Sequence, residues 1–519
     1  MKKYFKKISA LLMAAIMVLS MCTAVFAATG DVPSEDDSAQ VTINGLEAGV
    51  TIKAYQVIDG VYKPGNGFIG FDWTDLAKKS GKEDAPLFVK KDGTDTLNIS
   101  QTDLTGIVSY INENNIAADE TFKVEDNKEL TVGTWLLLVS GGTKVYNPMI
   151  VSVYYSTDKG VITGGTLNAS DDWILVGGVT YAKETDVTID KTATKDTAAH
   201  GEDVDFTITG VIPSYSAEYT TDVTYTISDK LTNLELKEAP VVSLAGKTVD
   251  TVNYDYNYDT TEKEFEISFH SDYIKGLAGK TDLQRKVTVT YTATVTASAT
   301  TWEPAKNEAK VDYTNNPNGS TTSKKTETNT YTFDINGQLL KVDETGKKPL
   351  AGAEFTLYED YDETTKTVSN PIKTDITTTG DETRGDGLII FKGLAAGTYY
   401  LTETKAPDSY TLNTTVYRIT ITPTYESEAP DTGKKVLTSY KVTIEELGKD
   451  GNVVNKKEIG DYTKDIPTID EHVEIQNTKV GQLPSTGGMG TYIFTIAGVV
   501  LMACAAGAFI ISRKKSSEE

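Results

Sequence analysis

Between Cys22 and Cys504 the 519-residue chain contains no cysteine. The body between them therefore has no disulfide, zinc–thiolate site, cysteine nucleophile or thioester. Histidine is nearly as scarce: His200, His270 and His472 are scattered, and none sits in an HExxH or triad-like context. Positive charge is also short, with 50 Lys+Arg against 74 Asp+Glu and a net charge of −24. Such a chain is a poor ligand for nucleic acid or an anionic membrane. What is abundant is Gly (42), Tyr (28) and Thr, a composition that favours strands. An apolar content of 39% supplies ordinary cores and argues against disorder. At ~150 residues per domain the length suggests about three domains.

Both ends read as addresses. Lys2, Lys3, Lys6 and Lys7 precede an apolar run from Ile8, and Val25 and Ala27 are small residues suited to a cleavage site. Residues 1–27 are thus expected to be a secretory signal peptide, its apolar run too short for a membrane span. At the other end an apolar segment, 491–511, is long enough for a bilayer core and is followed by Arg513, Lys514 and Lys515. Immediately before it stands Leu483-Pro484-Ser485-Thr486-Gly487. This order of pentapeptide, span and basic tail resembles the sorting signal of Gram-positive surface proteins. The resemblance implies that a sortase cuts between Thr486 and Gly487 and passes the Thr486 carbonyl to an amine. It also implies secretion, transient membrane anchoring during 483–519 processing, and a final place in the cell wall.

The body divides into three expected domains, 28–183, 184–320 and 333–480. Alternation in VTINGLEAGVTIKAYQVIDG, and the strings TWLLLV and MIVSVYY, predict strands in the first, while Ser100 and Asp103 resemble a capping box opening a helix through Leu104, Ile107, Val108 and Ile111. VDFTITGVI, VTYTISDKL, KEFEISFHS and KVTVTYTATVTA predict strands in the second, and the polar stretch NNPNGSTTSKKTETNT reads as a linker. Recurrent turn signals mark the third. The expected fold is mainly β: three tandem Ig-like sandwiches, the first with one or more helices.

In the third region Lys341 lies in QLLKVDE, Glu403 in YYLTETKAPDSY and Asn477 in VEIQNTK. The middle string is similar to the E-box of pilins and of collagen-adhesin B-type domains, and the chain as a whole resembles sortase-assembled backbone pilins of Gram-positive bacteria. That resemblance implies an isopeptide bond between Lys341 and Asn477, assisted by Glu403. It implies a second bond in the middle domain between Lys191, in VTIDKTATKD, and Asn307, in EPAKNEAKVDY, with Asp229 of TYTISDKL as helper. Asn307 is expected on that domain's last strand. Lys195 is the alternative to Lys191, and Asn315 and Asn316 are alternatives to Asn307. At the junction of the first two domains, DDWILVGGVTYAKETD resembles the pilin motif whose lysine attacks the sortase acyl-enzyme of another subunit. Trp173, Tyr181 and Lys183 are kept; Ala182 and Thr180 depart from the pattern, and Trp173 is one residue too far from the lysine. Lys183 is the expected polymerisation lysine, with Lys191 and Lys195 as alternatives.

The chemistry needs these residue types. An ammonium has no lone pair to attack an amide, and burial disfavours the charged forms of both Lys and a carboxyl. The amine then becomes a nucleophile and the neutral acid can hydrogen-bond the amide and move protons. The expected function is a structural pilin subunit, not an enzyme beyond its own bond formation, with no cofactor and no metal. The expected partners are a class C pilin sortase, a housekeeping sortase, further copies of the chain, a peptidoglycan precursor, and minor pilins or a host ligand. A non-polymerising wall-anchored adhesin with the same domains is the alternative. Asp255, Asn257, Asp259 and Glu266 have calcium-loop spacing, but Thr260 stands where the sharp turn needs Gly, so a hairpin is expected there. Lys53 and Asn147 are candidates for a first-domain bond without an obvious helper acid.

Overall fold

The computed structural model describes residues 24–26, 32–64, 67–82, 86–91, 94–157, 160–167, 171–381, 385–427, 435–465, 471–480, 499–503 and 505–506. The sorting pentapeptide 483–487 lies outside these residues, as do most of the expected signal peptide and most of the expected span. Within the signal peptide only Ala24–Phe26 is described, as a short strand. No helix among the described residues is long and apolar enough to cross a membrane. The chain forms two compact units, residues 1–331 with 427–435, and residues 332–426 with 436–519.

The first unit opens with a sheet whose centre is β1 (Thr51–Lys63) paired with β2 (Gly67–Trp73) and with β3 (Gly133–Ser140). Helix α1 (Gln101–Asn114) starts on the Ser100–Asp103 capping box and buries Ile107, Val108 and Ile111 against Tyr55, Val57, Leu136 and Leu138. The opposite face of the same strands buries Ile52, Ala54, Trp135, Leu137 and Val139. β3 is thus covered on both faces, which is why TWLLLV is a continuous apolar run rather than an alternation. The sheet continues outward through β5 (Met149–Thr157) and β6 (Ile174–Gly177), while the short β4 (Val145–Asn147) pairs with β7 (Lys183–Thr185).

The same unit holds a sandwich. One sheet contains β8 (Ile189–Ala193), β9 (Asp203–Val211), β14 (Lys286–Val295) and β11 (Val241–Leu244), in that order. The other runs β12 (Tyr254–Asp259), β13 (Glu264–Phe269), β10 (Tyr225–Thr232), β15 (Ala305–Thr314), β16 (Thr321–Thr330). Inward residues alternate strictly, as Val287, Val289, Tyr291, Ala293 and Val295 do on β14. β12 and β13 form the hairpin expected in place of a calcium loop.

The stretch read as a linker is a strand. β16 pairs with β15 over ten residues, Ala305 opposite Thr330 through Thr314 opposite Thr321. Asn307 is therefore on the penultimate strand of its domain, not the last. The physical reason is that β16 is an edge strand whose side chains are mostly half-buried and polar, so it carries no apolar alternation to distinguish TTSKKTETNT from a loop.

The second unit is a sandwich of a four-stranded and a six-stranded sheet. In the first, β17 (Phe333–Asp343) lies between β20 (Gly385–Leu394) and β25 (Val473–Asn477), the latter parallel to it. The second runs β19 (Thr367–Thr377), β18 (Glu354–Asp362), β21 (Gly397–Lys405), β22 (Val416–Ser427), β23 (Lys435–Leu447), β24 (Val453–Tyr462). Phe333, Leu339, Phe355, Leu401, Ile419 and Ile475 are among its buried residues.

Candidate cross-link sites

Six polar residues stand where strand alternation demands apolar ones. On β17 Lys341 takes an inward slot two residues after Leu339; on β21 Glu403 follows Tyr399 and Leu401; on β25 Asn477 follows Ile475. In the middle domain Asp229 follows Tyr225 and Ile227 on β10, Asn307 lies between Ala305 and Ala309 on β15, and Lys191 points inward from β8. Lys341, Asp229 and Asn307 are 0% exposed and Lys191 is 4% exposed. Leaving so many polar groups in two cores is costly unless they meet one another. They do.

In the third domain the Lys341 Nζ donates to the Ile475 carbonyl at 2.6 Å and lies 3.9 Å from Glu403 Oε1. Asn477 Nδ2 is 3.0 Å from each Glu403 oxygen, and the Asn413 backbone N–H donates to Glu403 Oε2 at 2.7 Å. Lys341 and Asn477 come from neighbouring parallel strands of one sheet, and Glu403 faces them from the other. Burial lowers the Lys341 ammonium to about 8, against the opposing pull of Glu403, and raises the Glu403 carboxyl above the usual range.

The middle domain places its residues differently. Lys191 comes from one sheet and Asp229 with Asn307 from the other, on adjacent strands where Leu231 opposes Asn307. Lys191 Nζ bonds Asp229 Oδ2 and lies 2.5 Å from the Tyr291 hydroxyl. Tyr291, on β14, donates to Asp229 Oδ1 at 2.9 Å and accepts from Asn307 Nδ2 at 2.7 Å. Burial holds Asp229 up at about 6, opposed by Lys191, and pushes the Lys191 ammonium down. In both sites the asparagine Oδ1 is buried with no hydrogen-bond partner. A neutral carboxyl acid or phenol is the kind of donor such an oxygen lacks.

The alternatives lie elsewhere. Lys195 is a half-exposed surface residue paired with Glu202 at 2.5 Å. Asn315 and Asn316 are buried in the turn before β16, where Asn315 Nδ2 donates to the Gly142 carbonyl at 2.9 Å. Lys53 pairs across β1 with Leu138 and Thr121, whereas Asn147 Oδ1 accepts from the Ser216 N–H; no contact joins the two among the described residues. The described residues hold no cluster of metal-ligating side chains.

Lys183 is exposed at the start of β7, opposite Asn147 of β4. Its support is firm. Glu47 accepts from the N–H groups of Thr143 and Lys144 and from the Tyr146 hydroxyl, and Glu184 pairs with Lys144 at 2.7 Å. The middle domain grips the same stretch before and in β4: Tyr219 donates to the Tyr146 carbonyl at 2.8 Å and Tyr313 to that of Thr143. Tyr181 is 65% exposed beside this lysine, while Trp173 packs edge-on against Tyr155 in the first core.

Sequence reasoning missed Tyr291 altogether. Its inward position in KVTVTYTATV was legible, but nothing separates it from an ordinary core tyrosine until the fold sets Asp229 and Asn307 opposite.

Comparison with known proteins follows the same lines. Residues 336–432 match the SpaA family, a prealbumin-like fold domain, and residues 475–518 match the LPXTG cell wall anchor motif. The chain is 27% identical to the trypsin-resistant surface T6 protein of Streptococcus pyogenes serotype M6, over 95% of this chain and 99% of that one. The chain thus resembles a streptococcal surface protein over nearly its whole length and carries a Gram-positive wall-anchor motif. Among solved structures, the T6 backbone pilin of that serotype, described as a modular three-domain structure, superposes with a TM-score of 0.58 at 22% identity, covering 86% of this chain and all of the T6 structure. The anchor motif and the surface relative locate the chain at the cell wall.

Proposed function

We propose that this chain is a backbone pilin, the repeating subunit of a covalent fibre. A sortase joins the Thr486 carbonyl of one copy to Lys183 of the next, and each copy is braced by two internal amides, Lys341–Asn477 and Lys191–Asn307. In each internal reaction a neutral lysine amine adds to the asparagine carboxamide carbon. The C–Nδ2 bond breaks, and ammonia leaves with a proton that the lysine nitrogen has lost. Glu403 carries that proton and donates to the amide oxygen in the third domain, and Asp229 is the acid that neutralises Lys191 in the middle domain. The observation that carries this reading is the coincidence of two buried Lys–acid–Asn groups, in separate sandwiches, each with an unpartnered amide oxygen.

For assembly, Lys183 has what an acceptor needs: an exposed amine on β7, whose partner strand β4 is held by Glu47 and by the middle domain. A pilin sortase of class C would make the fibre and a housekeeping sortase would pass its base to a peptidoglycan precursor. The test is electrophoresis of wall extracts. The natural chain gives a ladder of high-mass species that survives boiling in detergent, and Lys183→Ala gives wall-anchored monomer only. A ladder that persists in this variant moves the role to another lysine. A single monomer band from the natural chain would make it an anchored adhesin instead.

A further inference from the structure

The two groups differ in one atom that matters. In the third domain both carboxyl oxygens reach the asparagine amide directly, at 3.0 Å. In the middle domain the acid is an aspartate, one methylene shorter, and it bonds Lys191 and Tyr291 but not Asn307. The Tyr291 oxygen fills the gap, 2.5 Å from the attacking nitrogen and 2.7 Å from the departing one.

We propose that Tyr291 is a catalytic residue of the middle-domain reaction, relaying the proton from Lys191 Nζ to Asn307 Nδ2. This rests on the cross-link reading above. Lys191 first gives one proton to Asp229, leaving a neutral amine and a neutral acid. The amine adds to the Asn307 carbon, forming the new C–N bond. The phenol oxygen then takes a proton from the lysine nitrogen while its own proton passes to Nδ2, the C–Nδ2 bond breaks, and ammonia departs. Tyr291 ends as it began, so no net charge is created in the core. The phenol suits this role because burial, and Asp229 beside it, push its pKa well above the ordinary tyrosine value: it stays protonated and works as a relay rather than as a base. Its ring is held for the purpose, stacked on Phe206 and edge-on to Phe265.

Tyr291→Phe keeps the ring and removes only the relay oxygen. Intact mass and peptide mapping of the mature chain at harvest are the readout. We expect the natural chain to lack two ammonia equivalents and Tyr291→Phe to lack one, with Lys191 and Asn307 unjoined and the third-domain bond intact. Adding Asp229→Glu, whose longer carboxyl reaches Asn307 as Glu403 reaches Asn477, should restore the second loss in the double variant. A Tyr291→Phe chain carrying the Lys191–Asn307 bond in full overturns the relay. So does a double variant that has the natural circular-dichroism spectrum but no restored bond, since the oxygen was then not the missing part. A natural chain whose Lys191 and Asn307 are unjoined refutes instead the cross-link reading beneath it.

Discussion

The middle and third domains gather the same three residue types by opposite routes. In the third, lysine and asparagine are neighbours on parallel strands of one sheet and the acid faces them from across the core. In the middle domain the lysine faces an acid and an asparagine that are themselves neighbours. The proposed chemistry thus asks for burial and mutual contact, not for one strand arrangement. The reach of the acid then decides what else is needed: a glutamate spans to the amide alone, and an aspartate does so through a tyrosine. The routes also differ in what a bond would enclose. Lys341 and Asn477 lie on the first and last strands of their sandwich, whereas Asn307 lies one strand short of the end of its own, with β16 beyond it.

The largest effect expected is loss of a bond. A cross-link closing a loop of roughly 120–140 residues stabilises by about 5 kcal/mol on the chain-entropy account. Glu403→Ala and Asp229→Ala should each lower the thermal midpoint of their own domain steeply in calorimetry and leave the other domain's transition in place. Equal, small shifts in both would remove the covalent basis of the comparison.

Force should separate the two domains more sharply. Tension entering at Lys183 and crossing from Lys191 to Asn307 must still run through β15 and β16 before it reaches Phe333. That hairpin is held by ladder hydrogen bonds worth only ~1 kcal/mol each net. It is pinned at its end by Tyr331 N–H to the Asp196 carbonyl at 2.8 Å and Ala198 N–H to the Tyr331 carbonyl at 3.0 Å. Fully drawn out, its twenty-odd residues extend by up to ~80 Å. Pulling single molecules between residues 183 and 486 should show one reversible step of that order from the middle domain and none from the third. Two steps, or a step from the third domain alone, would invert the comparison.

A titration sharpens it further. With Asn477→Ala the Lys341 amine cannot react and stays buried, with its folded value of about 8 below the unfolded value of ~10.4. The unfolded chain then binds more protons between these values, so stability rises with pH across that window, by on the order of 2–3 kcal/mol, and the gain is absent below about 8. Denaturant melts at pH 7 and pH 10 should show this rise in Asn477→Ala relative to the natural chain, in which the proposed cross-link turns the amine into an amide. A flat difference would mean that Lys341 keeps its charge in the core. The smallest effect belongs to Lys195, whose pair with Glu202 is at the surface: Lys195→Ala should change stability by under ~1 kcal/mol and leave the mass deficit untouched.

Much of this was legible because a strand's period of two exposes a trespasser. Lys341, Glu403, Asn477, Lys191, Asp229 and Asn307 each interrupt an apolar alternation at an inward slot, and the fold brings them together in two groups of three. The capping box at Ser100 was equally plain, since it is a local motif. Tyr291 was hidden for the opposite reason: an aromatic at an inward slot conforms to the pattern, and its hydroxyl gains meaning only from residues 62 positions before it and 16 after. β16 was hidden because an edge strand needs no apolar face, so its pairing with β15 left no trace in TTSKKTETNT. In the middle domain Lys191 continues the alternation of VTID better than Lys195, and burial separates the two, Lys191 in the core and Lys195 at the surface.

The most direct test of the account is the mass of the natural mature chain, with its cross-linked peptides mapped. The account predicts a deficit of two ammonia equivalents, one in a peptide pair joining Lys341 to Asn477 and one in a pair joining Lys191 to Asn307. Full sequence mass, with both lysines free to react with an amine reagent once the chain is unfolded, would contradict it.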